Sequence, residues 1–297
     1  MIENGTILSK VIIIFTISII LGMYMSKVVL ITGASSGIGN RTALMLAKQG
    51  YTVYAATRAP EKISVNIKNL HVLKLDITNS DSIKRTVEHI KAQHGKIDVL
   101  INNAGYALVS TVEDATEEEM YQQFNINVFS IFRLCKFVTP LMRQQDSGVI
   151  INISSFLGKV GLPLFSFYNS TKYAVEGITD SLRYELKDFN IRVHSILPGF
   201  FQTNFAKSNL VTNEITFDIK SPYSQLVKNL VPNIVEQINN GDDTLEAALL
   251  VQSMIENENS PARATVGEKA RQFLPMRKEL SDEDFERRVR EYYNLNG

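Results

Sequence analysis

The sequence predicts an α/β fold: a doubly wound parallel sheet covered by helices, in a single domain. Three observations lead there. Over the first two-thirds of the chain, apolar runs rich in β-formers alternate with segments of helical period, the pattern of parallel strands joined by helices. The strand candidates are apolar almost throughout rather than at alternate positions, which suits strands buried on both faces. The first strand also runs directly into a glycine-spaced turn that opens a helix.

The strands read as KVVLIT (27–32), YTVYAAT (51–57), HVLKLD (71–76), IDVLINN (97–103), GVIINIS (148–154) and IRVHSIL (191–197). Between them, NRTALMLAKQG (40–50) and SIKRTVEHIKAQHG (82–95) read as helices, each ending in the glycine that commonly closes a helix. A further helix starts near Thr116, where Glu119 three residues on completes a capping box, and Glu117 to Glu119 form a solvated first turn facing the helix dipole. Beyond Gly199 the alternation fades into a polar and aromatic stretch, then the helical TLEAALLVQSMI (244–255) and a charged tail. This part reads as appended to the sheet rather than as a second domain.

Composition narrows the chemistry. With 31 basic and 31 acidic residues, no overall field recruits nucleic acid or an anionic surface, and a small neutral or apolar ligand is the expectation. A single cysteine cannot form an intramolecular disulfide, and the 4 histidines show no metal-ligand spacing, so metal-free chemistry in a reducing compartment is expected. Cys135, in FRLCKF, reads as a small buried hydrophobe on a helix.

In LITGASSGIGNRTALML, Gly33, Gly37 and Gly39 let backbone N–H groups approach a pyrophosphate, and the helix N-terminus favours its charge. An NAD site usually wants an acid at the end of the second strand for the ribose 2′-hydroxyl. Here Thr57 stands in that place and Arg58 follows; a guanidinium binds a 2′-phosphate through directed, charge-assisted bonds, so NADP is favoured over NAD. Among the tyrosines only Tyr168 has a lysine, Lys172, four residues later, which puts both side chains on one face of a helix. A positive charge a few Å from a phenol lowers its pKa by roughly one to three units, so Lys172 and an oxidised nicotinamide are expected to make Tyr168 a proton shuttle.

Thr32-Gly33-x-x-x-Gly37-x-Gly39, NNAG at 102–105 and Tyr168-x-x-x-Lys172 together resemble the short-chain dehydrogenase/reductase family, over about 27–203 with a looser match beyond. The resemblance implies a Rossmann-like fold and NAD(P)-dependent oxidation or reduction at a CH–OH carbon. It implies that Thr32, Gly33, Ser35, Ser36, Gly37, Ile38 and Gly39 form the diphosphate loop, that Asp76 lies near the adenine, and that Asn103 and Gly105 stand beside the adenosine. Pro198, Gly199 and Thr203 would grip the carboxamide, and Tyr168 and Lys172 would also touch the cofactor. The catalytic set it implies is Asn127, Ser155, Tyr168 and Lys172: Ser155 binds the substrate oxygen, with Ser154 as fallback, and the Asn127 backbone carbonyl holds a water linking Lys172 to solvent. Asn125 fits that place less well.

In the same family the segment here numbered about 200–238 is a mobile substrate lid. Its hydrophobes (Phe200, Phe201, Phe205, Phe217, Tyr223, Leu226, Leu230, Val231) then point to an apolar ketone or secondary alcohol of steroid, retinoid or long-chain type; the competing reading is that they simply pack the last helices. SPARATVGEKARQF resembles the 17-beta-hydroxysteroid dehydrogenase-like branch, except that Ala264 stands where an aromatic residue often follows the arginine. The family also implies a homodimer or homotetramer built through the helices carrying Asn127 and Tyr168. Two other functions compete: a non-catalytic NADP-binding scaffold or redox sensor, which an intact tyrosine, lysine and serine disfavour, and an epimerase/dehydratase relative, which the glycine spacing and chain length disfavour.

Residues 1–25 form a hydrophobic N-terminal segment ahead of the catalytic domain at 26–297. Val11 to Met25 would give roughly 22 Å of helix, short of the roughly 30 Å hydrocarbon core; starting at Ile7 with Lys10 snorkelling gives about 28 Å. The reading preferred is a membrane anchor over residues 7–25 with the catalytic domain on the cytoplasmic side. The alternative is a dispensable extension before an internal start at Met25, leaving a soluble cytoplasmic enzyme.

Overall fold

The structure, a computed structural model, describes residues 26–295. The membrane-anchor reading of residues 7–25 therefore lies outside the described residues, among which no helix is long and apolar enough to cross a membrane.

Strand β1 (Val28–Thr32) starts where the Val28 N–H is held by the Asp98 carboxylate at 2.7 Å, and all five of its residues are buried. Helix α1 (Gly37–Lys48) begins three residues earlier than the sequence suggests, because the glycine loop itself supplies the first turn. After β2 (Thr52–Thr57) and β3 (Leu70–Lys74) comes α2 (Ser80–His94), whose Asn79 cap accepts the Ser82 N–H at 3.0 Å and whose Gly95 closes it at φ 72°. Next are β4 (Val99–Asn102), the short β5 (Ala107–Val109), and α3 (Glu117–Phe124) with the Thr116–Glu119 capping box in place. A π-turn over Asn125–Phe129 joins α3 to α4 (Ser130–Gln144), on which Cys135 is buried with its thiol pushed up to about 12 by desolvation. The chain continues through β6 (Gly148–Ile153), α5 (Ser166–Leu186) and β7 (Ile191–Pro198). Beyond them are α6 (Phe205–Ser208), β8 (Leu210–Thr212), α7 (Ser224–Asn239), α8 (Thr244–Glu256), β9 (Arg263–Val266), α9 (Glu268–Glu279) and α10 (Asp282–Tyr292).

The main sheet has 7 parallel strands in the order β3-β2-β1-β4-β6-β7-β9. Helices α2, α4 and α5 bury Ile83, Leu134 and Val175 on one face, while α1 and α8 bury Leu46 and Val251 on the other. The chain reverses winding direction between β1 and β4, and the carboxyl ends of those strands open a crevice, the place where ligands bind on sheets of this kind.

The sequence reading is corrected at three points. RATV is a seventh strand, β9, at the sheet edge; β5 and β8 form a separate parallel pair; and the third strand ends at Lys74, leaving Leu75 and Asp76 as the loop that follows it. The C-terminal segment has no core of its own. Its Leu230, Ile234, Phe273 and Tyr293 share one cluster with Phe156, Leu162 and Phe165 from the body of the domain.

Candidate active site

The crevice is a cavity of about 440 Å³ that runs from the glycine loop after β1, past the ends of β4 and β6, to α7. At its nucleotide end Gly33 and Gly37 take φ values of 67° and 58°, in the left-handed region glycine adopts without strain. A Cβ on Gly33 would lie 2.8 Å from Ala104 Cα, and one on Gly39 would lie 2.6 Å from Gly33 O and run into the Asn103 side chain. The loop therefore packs directly onto the segment after β4. Asn103 Nδ2 donates to Thr32 O (2.9 Å) and Gly33 O (3.2 Å), while Thr32 Oγ1 accepts the Asn103 and Ala104 N–H groups at 3.1 and 3.2 Å.

Gly33, Ser35, Ser36, Gly37, Ile38, Asn103 and Gly105 line the cavity; Thr32 and Gly39 stand behind the wall and hold the loop in shape. Ser36 caps α1 without a side-chain bond, so its first-turn N–H groups face the cavity end uncapped by a side chain. The glycine cradle and this helix end fit the diphosphate of a nicotinamide dinucleotide.

Further along, Arg58 is exposed on the wall just after β2, and Asp76 lies on the wall after β3. Asp76 accepts Thr78 Oγ1 at 2.7 Å and the Thr78 N–H at 2.9 Å. The Thr78 hydroxyl bond chiefly, then its N–H and the charges of Arg58 and Arg133, hold the carboxyl of the exposed Asp76 below the usual carboxylate range, outweighing a desolvation that raises it. Asp76 thus shapes a turn and also borders the cavity. Pro198, Gly199 and Thr203 line the far side, with Thr203 Cγ2 placed 3.2 Å from where a Gly37 Cβ would be.

The hydroxyl-bearing end is assembled from β6 and α5. Ser155 is buried in the turn after β6, its Oγ accepting the Leu157 N–H at 3.1 Å, and α5 brings Tyr168 and Lys172 to the wall one turn apart. Burial pushes the Tyr168 phenol up to about 12, opposed by its hydrogen bond with Ser155. Burial likewise pushes Lys172 down to about 8, opposed by the charge of Glu176. The expectation of a lowered tyrosine pKa is therefore not met in the protein alone. Lys172 Nζ sits 5.6 Å from the Tyr168 ring centroid and donates to Ile153 O at 2.9 Å, and desolvation outweighs its charge.

Asn127 does not reach the cavity. It is buried in the π-turn, where Nδ2 donates to Tyr106 O (2.9 Å) and Thr171 Oγ1 (3.0 Å) and Oδ1 accepts the Tyr106 N–H (3.1 Å), tying that turn to the strand-4 loop and to α5. Ser154 also lines the cavity beside Ser155, and Asn125 is buried in the same π-turn.

The remaining end is mostly apolar, with Ser208 and Asn209 beside Leu210 as its polar members. Of the hydrophobes singled out in the 200–238 segment, Phe200, Phe201 and Phe205 line the cavity, whereas Leu230 and Val231 are buried in the core and Phe217 and Leu226 pack against it. Sequence reasoning missed Phe156, Leu157 and Phe165 from the β6–α5 connection, and Leu210, Ile234 and Ile238. The position of Phe165, three residues before Tyr168, was the one available signal.

The model of the short chain dehydrogenase family matches residues 27–214. The chain belongs to the short-chain dehydrogenase family. It is an oxidoreductase of the kind that acts on carbonyl and hydroxyl groups. A 3-ketodihydrosphingosine reductase of Bacteroides thetaiotaomicron is 39% identical over 242 residues, which cover 81% of this chain and 88% of that one. Among solved structures, a short-chain dehydrogenase from Streptomyces avermitilis superposes with a TM-score of 0.77 at 31% identity, covering 91% of this chain and 97% of that one. ElxO with NADP bound matches with a TM-score of 0.65 at 25% identity, covering 82% and 96%.

Proposed function

We propose that this short-chain dehydrogenase reduces the ketone of a long-chain, largely apolar substrate with NADPH. The observation that carries the reading is the composition of the cavity wall. Its charged residues are Arg58, Asp76 and Lys172, all on the cofactor side or at the reacting end, and from the Ser155 and Tyr168 hydroxyls onward it is lined by Phe156, Phe165, Phe200, Ile234 and Ile238, with the uncharged Ser208 and Asn209 as its polar members. An aliphatic tail loses water there without stranding a charge. The relative named as a 3-ketodihydrosphingosine reductase supports a long-chain ketone over the steroid and retinoid types, and over the 17-beta-hydroxysteroid dehydrogenase-like branch.

In this reading Ser155 donates a hydrogen bond to the substrate oxygen, and Tyr168, protonated across the neutral range, delivers the proton as the carbonyl becomes an alkoxide. Lys172 stabilises the tyrosinate left behind, and Asn127 holds the turn through which the Lys172 side is linked to solvent. The nicotinamide, when bound, supplies the hydride. NADP is preferred because Arg58 is exposed at the end of β2, next to Thr57 rather than an acid.

The 200–238 segment acts as the substrate lid of the single domain 26–297, a role supported by Phe205 and Leu210, which line the cavity, the Phe205 ring lying 6.3 Å from that of Tyr168. Phe129, Phe132, Tyr173 and Tyr184 are exposed on the π-turn and on α4 and α5, which supports association into a homodimer or homotetramer through these helices. For residues 7–25 the membrane anchor remains a proposal on the sequence alone.

A series of straight-chain ketones of increasing length, a 3-keto sphingoid base, a keto-steroid and a retinal, each with NADPH and NADH and followed by the absorbance of the reduced cofactor, tests the reading. Each methylene added within the apolar end is worth about 0.8 kcal/mol, so kcat/KM should climb roughly fourfold per carbon until the cavity is filled. A flat length series, or a steroid turned over as well as the best long chain, would refute the substrate class.

A further inference from the structure

Glu176 lies one helical turn past Lys172 on α5, so Tyr168, Lys172 and Glu176 fall on one stripe of the helix. Its side chain is only 3% exposed, yet it is a carboxylate. Oε2 is bonded by Arg263 Nε of β9 at 2.6 Å and approached by Lys159 Nζ, just past the Ser155 turn, at 3.6 Å. Arg263 is shared with Asp180 at 2.5 Å. Oε1, by contrast, is buried without a hydrogen-bond partner, as is Ser154 Oγ. Both groups crowd Gly158: a Cβ there would lie 2.9 Å from Ser154 Oγ, 3.0 Å from Lys172 O and 3.3 Å from Glu176 Cγ. The carboxylate is thus wedged between the backbone of Lys172 and the turn that carries Ser155.

A buried carboxylate with a free oxygen costs stability, and removing water from it strengthens its field on nearby charges. Lys172 Nζ donates to the Ile153 carbonyl and pairs with no carboxylate within 4.0 Å among the described residues, and burial works against its charge. Glu176 is the acid that opposes this loss. The other charged groups on elements packed against α5 are placed elsewhere. Arg192 and His194 of β7 bind carbonyls of α8 and Pro261 on the opposite face of the sheet, and Glu118 and Glu119 of α3 bear on Tyr106.

We propose that Glu176 is a positioning residue for the reaction: its buried carboxylate, one turn along α5, acts through space to keep the Lys172 ammonium charged beneath Tyr168, and Arg263 and Lys159 temper the field it exerts. β9 then contributes to the site, although it lies outside the cavity, because the Arg263 counter-charge sets how much of that field reaches Lys172. The inference rests on the role given above to Lys172.

The test is the pH profile of kcat/KM for ketone reduction, with thermal stability measured in parallel. Tyr168 keeps its proton to about 12, so the alkaline limb of the wild-type profile reports Lys172 and should fall near pH 8. Glu176→Gln, nearly isosteric, should move that limb down by about one pH unit, and Glu176→Asp should bring it most of the way back. Arg263→Gln breaks the same ion pair with the opposite electrostatic consequence. The carboxylate, freed of its counter-charge, acts more strongly on Lys172 and the limb moves up. A merely structural role predicts that Glu176→Gln and Arg263→Gln lose melting temperature together and shift the limb alike or not at all. A limb unmoved or raised in Glu176→Gln overturns the proposal, as does one unmoved or lowered in Arg263→Gln; if the glutamine variant at 176 does not fold, the Arg263 result decides alone. Lys172→Met separates the two levels of argument. If it retains activity and the same limb, the role of Lys172 itself is wrong; if it is inactive while Glu176→Gln leaves the limb in place, only the inference about Glu176 fails.

Discussion

Replacing Tyr168 with phenylalanine removes one oxygen from a side chain whose other contacts do not involve it. The ring lies edge-on to Phe165 at 6.5 Å, tilted against Phe205 at 6.3 Å and under the Lys172 ammonium at 5.6 Å, all of which phenylalanine keeps. Ser155 loses one partner, but its Oγ retains the Leu157 N–H at 3.1 Å. The fold should therefore lose no more than a single hydrogen bond, about 0.5–1.5 kcal/mol, or a few degrees of Tm in a domain of this size. The chemistry should lose far more. A positioned general acid contributes about 10²–10⁴ in rate, equivalent to roughly 2.7–5.4 kcal/mol of barrier. Single-turnover reduction with saturating NADPH, alongside NADPH affinity by fluorescence and a melting curve, reads all three quantities. The expected result is a rate at least a hundredfold lower, with cofactor affinity within about threefold and Tm nearly unchanged. Residual activity within about tenfold, a loss of only ~1.4 kcal/mol, would show that Tyr168 is not the proton donor. A large drop in Tm would show that the hydroxyl serves packing instead.

Arg58→Asp places a carboxylate where a 2′-phosphate is expected, so the Kd for NADPH should rise at least tenfold while that for NADH holds or falls, as titration with each cofactor will show. A preference for NADPH that survives the reversal removes Arg58 as the determinant. Gly39→Ala drives a methyl group into the Asn103 side chain and onto Gly33 O at 2.6 Å, where both partners are held by the Thr32 bracket. Overpacking of this sort costs about 1–3 kcal/mol, and the distorted loop should bind either cofactor more weakly. An alanine variant with wild-type Tm and cofactor affinity would mean that the loop is looser than its contacts imply.

The elements visible in the sequence are those whose signal is local. Val28–Thr32 and Gly148–Ile153 are apolar throughout because they lie inside the sheet, and Thr116 with Glu119 caps a helix within four residues. Strand β9 carried no such signal: in Arg263–Val266 only the last residue is buried, and its hydrogen bonds come from β7, far back in the chain. The three-residue pair β5 and β8 is shorter than any periodicity that could reveal it, and exists because Ala107 and Leu210 meet in three dimensions. The same division runs through the site. Tyr168 and Lys172 were legible because helical spacing makes them neighbours, whereas the apolar wall joins Phe156 and Phe165 to Ile234 and Ile238 only after folding. Glu176 escaped notice because what makes it unusual is a guanidinium 87 residues away.

The opposed shifts of Tyr168 and Lys172 bear on the direction of the chemistry. Both groups are pushed by burial toward their neutral forms, which leaves the phenol protonated and the lysine poised near the edge of the neutral range. A site that receives a ketone needs the tyrosine in the form burial already favours. A site that receives an alcohol needs the tyrosinate, which burial opposes and which depends on Lys172 staying charged. Reduction therefore starts from the form the cavity favours by default and needs the lysine's charge only as the tyrosinate develops, while oxidation needs that charge, and whatever sustains it, from the outset. In this chain a buried acid stands one turn away from that lysine, anchored to the last strand of the sheet. The edge strand, remote from both cofactor and substrate, thereby gains a physical connection to the step at which the proton moves.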